Sequence, residues 1–193
     1  MPSVGRIVEG WGVVLAALFV ALLLQAEPLA TAKMAVFKSS ECGVSFRYPA
    51  GWQVVRPTGA SIGKCALEIR PPRPETEPDK LRAELVWVAV YVQGLGIDRA
   101  LRETWTNEQG KWLRGALPTP AEDIRRNGWR GVRQWITTSC QDEEWGSVTC
   151  SVPVATVGTS RRSAEIEGQP ESEVAFEAIL RDFAFLGDDK GSE

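Results

Sequence analysis

Hydrophobic and polar positions change their period along this chain, and each change marks an element. Residues 11–24, WGVVLAALFVALLL, are continuously apolar, follow Arg6, and lead into the small-residue stretch QAEPLATAK with Ala30, Thr31 and Ala32. That layout predicts a secretory leader, residues 1–32, cleaved after Ala32. As a helix the run spans roughly 21 Å at ~1.5 Å per residue, short of the ~30 Å hydrocarbon core that a stable span must cross. An uncleaved N-terminal anchor is the alternative reading, lengthened by Ile7 and Val8 but interrupted by Glu9. Cys42, in SSEC, has no small apolar residues before it, which argues against a lipid-modified N-terminus. Residues 33–41 then read as a linker, 42–186 as the folded domain and 187–193 as a polar, disordered tail.

Within the domain the period is mostly two. VSFRY alternates, PAG turns, and WQVV resumes, so the opening predicts a strand, a tight turn and a second strand. CALEIR, residues 65–70, is a third alternating run. Residues 71–80, PPRPETEPDK, hold four prolines and predict an exposed extended loop. Residues 84–94, ELVWVAVYVQG, are apolar on both faces, the pattern of a strand covered on both sides. The period then lengthens: Asp98 is placed to cap a helix carrying Leu101, Trp105, Trp112 and Leu113, weakened by Gly110 and ended by Pro118. AEDIRR, RGVRQWITTSC and SVTCSVPVATVG predict three more strands, the first two joined by an Asn127-Gly128 turn. Pro153 marks the last of these as an edge strand or a site of a bulge. RRSAEIEG adds a short strand or a continuation. Residues 170–180 pattern as a helix, with Val174, Ala175, Phe176, Ile179 and Leu180 apolar, and Phe183 to Phe185 pack back against the body. The sum is an α+β domain, a mostly antiparallel sheet flanked by helices, with no internal repeat and no domain boundary after the leader.

Composition narrows the chemistry. The whole chain carries a net charge of −3, and the leader, with Arg6 against Glu9 and Glu27, accounts for −1 of it. A balance so near neutral supplies no bulk attraction to nucleic acid or anionic lipid. There is no histidine, so Ser-His-Asp and Cys-His arrangements are impossible and histidine-ligated metals are excluded. The four cysteines, Cys42, Cys65, Cys140 and Cys150, all follow the leader, and an even number in an exported chain predicts disulfides over zinc, for which no CxxC knuckle exists. Of the three possible connectivities, spacing favours Cys140–Cys150 and Cys42–Cys65. A loop at Glu144-Trp145-Gly146, with Gly146 left-handed, pairs Glu143 with Ser147 and sets Cys140 directly opposite Cys150. The other bridge then ties the first of the predicted strands to the third.

The opening F-R-Y-P-x-G-W, at Phe46, Tyr48, Pro49, Gly51 and Trp52, resembles the PsbP-like family, named after an accessory protein of photosystem II. The tryptophan-bearing helix after the central strands resembles it too, as does the closing F-x-x-I-L-x-x-F-x-F of Phe176, Ile179, Leu180, Phe183 and Phe185. The resemblance spans roughly residues 42–186. It implies an antiparallel sheet between helical layers, a PsbP-like α/β/α sandwich, and a likeness to bacterial relatives that are often exported and of unassigned role. It carries no photosystem role, because the histidines of the photosynthetic members' metal contacts have no counterpart here and the expected disulfides depart from them. The motif residues themselves read as folding devices: Pro49 fixes φ, Gly51 admits an unusual backbone angle, and Trp52 buries a large ring.

Candidate chemistry is sparse. Asp142, Glu143 and Glu144 form an acidic hairpin tip without the ligand spacing of a calcium loop, so a solvated turn is the plain reading. Glu165 and Glu167 share a strand face and have the residue types of an acid and base pair, but nothing in the sequence raises a pKa there, and a solvent-facing strand edge is the plain reading. Arg125, Arg126, Arg130 and Arg133 surround the NGWRG turn with Trp129 among them, and arginine with exposed tryptophan is the composition of a recognition surface. Trp87, Trp105, Trp112 and Trp135 fall inside strand or helix patterns and are expected in the core; Trp129 and Trp145 fall at turns and are expected outside. The expectation is therefore an exported, monomeric, non-enzymatic accessory protein without cofactor or metal. It binds a protein partner of the cell envelope or secreted milieu through Trp129, Arg130, Arg126, Arg133 and Trp145, and touches membrane only through an uncleaved leader. A small-ligand or lipid carrier with an apolar pocket between sheet and helix is the alternative, and a carboxylate hydrolase of cell-wall glycans a third.

Overall fold

The computed structural model describes residues 33–57, 65–72, 86–115, 120–142 and 146–187. The leader, most of the proline-rich loop, Pro118, the hairpin tip with Trp145, and the tail from residue 188 lie outside the described residues. Lys33–Glu193 forms one compact unit. No helix among the described residues is long and apolar enough to cross a membrane.

Seven antiparallel strands make the main sheet, in the order β3 (Gln53–Val55), β4 (Cys65–Arg70), β5 (Val88–Gln93), β11 (Ser163–Gly168), β10 (Gly146–Gly158), β9 (Trp129–Asp142), β8 (Glu122–Arg126). A second sheet of three strands has the order β1 (Met34–Ser39), β2 (Val44–Pro49), β12 (Ala184–Phe185). Two helices, α1 (Ile97–Thr104) and α2 (Glu173–Asp182), lie on opposite faces of the main sheet. Strand alternation explains how one sheet feeds two cores. On β10, Ala155 and Val157 join α2 and the small sheet, while Val152 and Val154 join α1. β5 is central, and Val88, Ala89 and Val90 are all buried, as its two-sided apolar run predicts.

The F-R-Y-P-x-G-W motif is the crossing point between sheets. Pro49 ends β2, the amide of Trp52 returns to the Pro49 carbonyl at 3.1 Å, and Gly51 sits at φ 94°. This is a type II turn, whose third residue requires the left-handed region. β2 pairs with β1 and β12, whereas β3 pairs with β4, so the two runs that the turn separates never pair with each other. Trp52 packs half-buried on the α2-side core.

Three expectations about elements change. Residues 34–39 are not linker but strand β1, paired along its whole length with β2 (Met34↔Pro49 to Ser39↔Val44), and Phe37 stacks on Phe46 with ring centroids 5.0 Å apart. The first helix stops at Thr104, and Trp112 and Leu113 belong instead to a hairpin, β6 (Thr106–Glu108) and β7 (Lys111–Leu113). Gln109 and Gly110 have φ of 53° and 83°, the signature of a two-residue I′ turn, and the side chain of Asn107 accepts from the Gly110 amide at 3.2 Å. Gly96, not Asp98, is the residue preceding the helix, and Asp98 pairs with Arg130. Pro153 lies on an inner strand, yet the β10–β11 ladder begins only at Val154, so at Pro153 the strand has a ladder partner on the β9 side alone. A missing N–H is tolerated at such a place for the reason it is tolerated at an edge.

Both expected disulfides are present, with Cα separations of 5.4 Å for Cys42–Cys65 and 5.9 Å for Cys140–Cys150. Cys42–Cys65 joins the turn between β1 and β2 of the small sheet to β4 of the main one. The second bridge spans a diagonal, not a direct pair: Cys140 stands opposite Val148 and Cys150 opposite Thr138, because the strands pair Asp142 with Gly146 and not Glu143 with Ser147. Gly146 is left-handed, at φ 72°, as expected.

Candidate functional site

The arginine-tryptophan surface expected around the NGWRG turn is divided by the sheet. Asn127 and Gly128 form the predicted turn, both at positive φ (48° and 77°). From there strand alternation sends Arg125 and Arg130, a cross-strand pair, to the α1 face, and Arg126 and Arg133 to the α2 face. Trp129 is not a docking residue. It is 4% exposed, packed in the α2-side core, and its Nε1–H donates to the Phe183 carbonyl at 2.7 Å. Arg130 is exposed and paired with Asp98 at 2.5 Å, Arg126 is exposed, and Trp145 lies outside the described residues.

Among the described residues the exposed tryptophan is Trp135, expected in the core but 41% accessible. It projects from β9 on the α2 face, two positions beyond Arg133 and directly opposite Pro153 on β10. A cleft of about 390 Å³ runs there between sheet and helix, lined by Pro120, Glu122, Arg133, Trp135, Glu173 and Glu177 among others. Val174, one of the apolar residues of the helical pattern, is 49% exposed on α2. Arg133 stands fixed within this cleft. Its Nε donates to Glu122 at 2.7 Å and its Nη1 to Glu177 at 2.9 and 3.1 Å, and these partners raise its pKa above the ordinary arginine value, the Glu122 hydrogen bond most.

On the α1 face the structure builds a second arrangement. Glu165 and Glu167 do not lie on a sheet edge. β11 is an inner strand, and the two side chains are 12% and 29% exposed. Arg114, just after β7, joins them: Nη1 donates to Glu165 and Nη2 to Glu167, the latter at 2.8 Å. The guanidinium is placed by Trp105, lying 5.7 Å over its ring, and Trp105 is in turn held by an Nε1–H bond of 2.8 Å to Thr156. Burial, reinforced by a hydrogen bond and repulsion from Glu165, lifts the Glu167 carboxyl above its ordinary range against the pull of Arg114. Tyr91, paired across the strands with Glu165, is lifted too, by burial first and then by Glu167, Glu165 and Glu68. Beside this group opens a groove of about 500 Å³, lined by Trp87, Arg114, Ile136, Val152, Val154 and Glu167 among others, with Cys140 of the second disulfide at its margin. Sequence reasoning named both glutamates but missed Arg114, whose only signal is a lone cation after a hairpin that reads as helix. Among the described residues no group of acidic or cysteine side chains has the arrangement of a metal site.

Two helices on opposite faces of an antiparallel sheet, with a small second sheet closing one side, define an α+β sandwich. Solved structures similar to it include two at 12% identity. One is the solution structure of cyanobacterial PsbP (CyanoP) from Synechocystis sp., at 12% identity and a TM-score of 0.46, covering 83% of this chain and 96% of that one. The other is a crystal structure of a Bacteroides thetaiotaomicron protein, at 12% identity and a TM-score of 0.49 over 81% of this chain, which spans 50% of that protein's length. The likeness is one of fold. No family model matches the sequence, and no curated protein matches it.

Proposed function

We propose that this chain is an exported, non-enzymatic accessory protein that binds another protein through the Trp135 surface. The observation that carries the reading is the 41% exposure of Trp135 in a cleft whose neighbouring arginine is already held in place. Tryptophan and arginine are the side chains most enriched where binding energy concentrates, and a pre-positioned arginine loses less rotamer freedom on docking. Glu122, Glu173 and Glu177 outnumber the single Arg133 around the cleft. That imbalance selects a partner segment with a lysine or arginine beside an apolar side chain, the cation lying over the indole face. The leader-like N-terminus and the two disulfides support an oxidising, extracytoplasmic setting. The test is photo-crosslinking from a reactive residue at position 173 in the native compartment. A discrete adduct lost on Trp135→Ala but kept on substitution of the exposed Val36, on β1, is the expected result; an adduct indifferent to Trp135 overturns the reading.

The alternative, a carrier of a small ligand, is favoured by a different observation, the α1-face groove. Its volume of about 500 Å³ falls within the ~300–1,000 Å³ of small-molecule sites, and its floor is apolar.

A further inference from the structure

The groove on the α1 face has walls of unlike character. Val152 and Val154 of β10 and Ile136 of β9 form an aliphatic floor, and Trp87, just before β5, adds an aromatic flank. At the other side stand Arg114 and Glu167, with Glu165 behind them. Two carboxylates share one guanidinium, and both of its terminal nitrogens are engaged. A ligand anion therefore meets a cation already shared between two carboxylates, and a carboxylate that repels it. A ligand cation meets the reverse: an acceptor carboxylate, 29% exposed, with a partner too few. In a site of lowered dielectric that difference of sign decides between ligands of equal size and apolar area.

Resting on the carrier reading, we propose that this groove binds an organic amine, its ammonium docked on Glu167 and its apolar body lying along Val152, Val154, Ile136 and Trp87. The ammonium brings the positive charge that the Glu165–Arg114–Glu167 set lacks, and each of its three N–H groups is a donor suited to a carboxylate oxygen. The apolar body covers the half-buried Ile136 and Trp87, while Val152 and Val154, already buried, give it a packed floor to rest on. Elevation of the Glu167 carboxyl by its surroundings is consistent with an acidic pair waiting for a counter-charge. Trp105 and Thr156 act as positioning residues, since they hold Arg114 and do not line the groove.

The test uses the full chain and three probes of matched size, hexylamine, hexanol and hexanoate, titrated by heteronuclear NMR with backbone amides as reporters. Hexylamine is expected to bind saturably, shifting Thr138, Gly168 and Gln169 while leaving the Trp135 side of the sheet unmoved, and to bind at least tenfold more tightly than the other two. Glu167→Gln, whose folding is checked by its urea midpoint, is expected to reduce hexylamine affinity about tenfold. Should that variant fail to fold, the charge preference of the wild-type protein decides alone. Equal binding of all three probes, or preference for hexanoate, overturns the amine inference and leaves a carrier of apolar ligands standing. No saturable binding of any probe overturns both.

Discussion

The indole nitrogen of Trp129 and the backbone carbonyl of Phe183 meet at 2.7 Å in the α2-side core, tying the turn between β8 and β9 to the segment after α2. Asn127 donates to the same oxygen at 3.1 Å. Trp129→Phe therefore leaves the carbonyl one donor and is expected to cost about 1–2 kcal/mol, while Trp129→Ala also opens a cavity and is expected to cost ~3–5 kcal/mol. Urea unfolding separates the two, and an alanine variant as stable as wild type would contradict the burial.

Gly51 and Gly131 respond to a methyl group for different reasons. Gly51 has open space around its Cβ position but φ of 94°, so Gly51→Ala carries backbone strain alone, about 1–2 kcal/mol. Gly131 pairs with Val157, and a Cβ there overlaps the Thr156 carbonyl, so the β9–β10 ladder has to part. Gly131→Ala is expected to cost ~3 kcal/mol or more. Denaturation midpoints that rank the two in the opposite order would refute this account.

All four cysteines are bridged, so thiol titration of the denatured, unreduced protein is expected to find none free. Removing either bridge as a double alanine variant is expected to lower stability by about 3 kcal/mol. The Cys42–Cys65 pair has the larger effect, because it closes a separation of 23 residues against 10.

Glu167 carries a pH signature. Its folded carboxyl titrates above the ordinary 4.5. As pH rises from 4.5 to the elevated value, the native state keeps a proton that the unfolded chain has released. Stability then falls with rising pH across that window, and the full cost stands above it. Glu167→Gln removes this dependence. Stability curves at pH 5 and pH 8 are expected to show the variant gaining on wild type at the higher pH; a gain at the lower pH would invert the electrostatics described.

Strands β4, β5 and β8 to β11 are legible in the sequence because alternation and the double-sided run of β5 are local signals. The helical pattern runs past the true end of α1 because Trp105 and Trp112 stand seven apart, a spacing that helix and hairpin both permit, and only the Gln109-Gly110 turn tells the two apart. β1 was read as linker although residues 34–39 carry Phe37 within a β pattern. The tryptophans show the limit most clearly. Trp129 and Trp135 leave the same face of the same strand, and their fates differ because Trp129 lies beneath the segment closing the chain and Trp135 beyond the helix's cover. That contact joins residues more than fifty apart in sequence, and no local pattern encodes it. The missed Arg114 has the same origin, since its partners on β11 are 51 and 53 residues away.

β12 reaches back to β2, setting Ala184 beside Ser45 and Phe185 beside Val44. All the strands of the main sheet lie between β2 and β12 in chain order, so one flank of β2 stays bare until Ala184 and Phe185 are in place. A chain lacking Ala184 and Phe185 keeps an open strand edge on β2 available to neighbours.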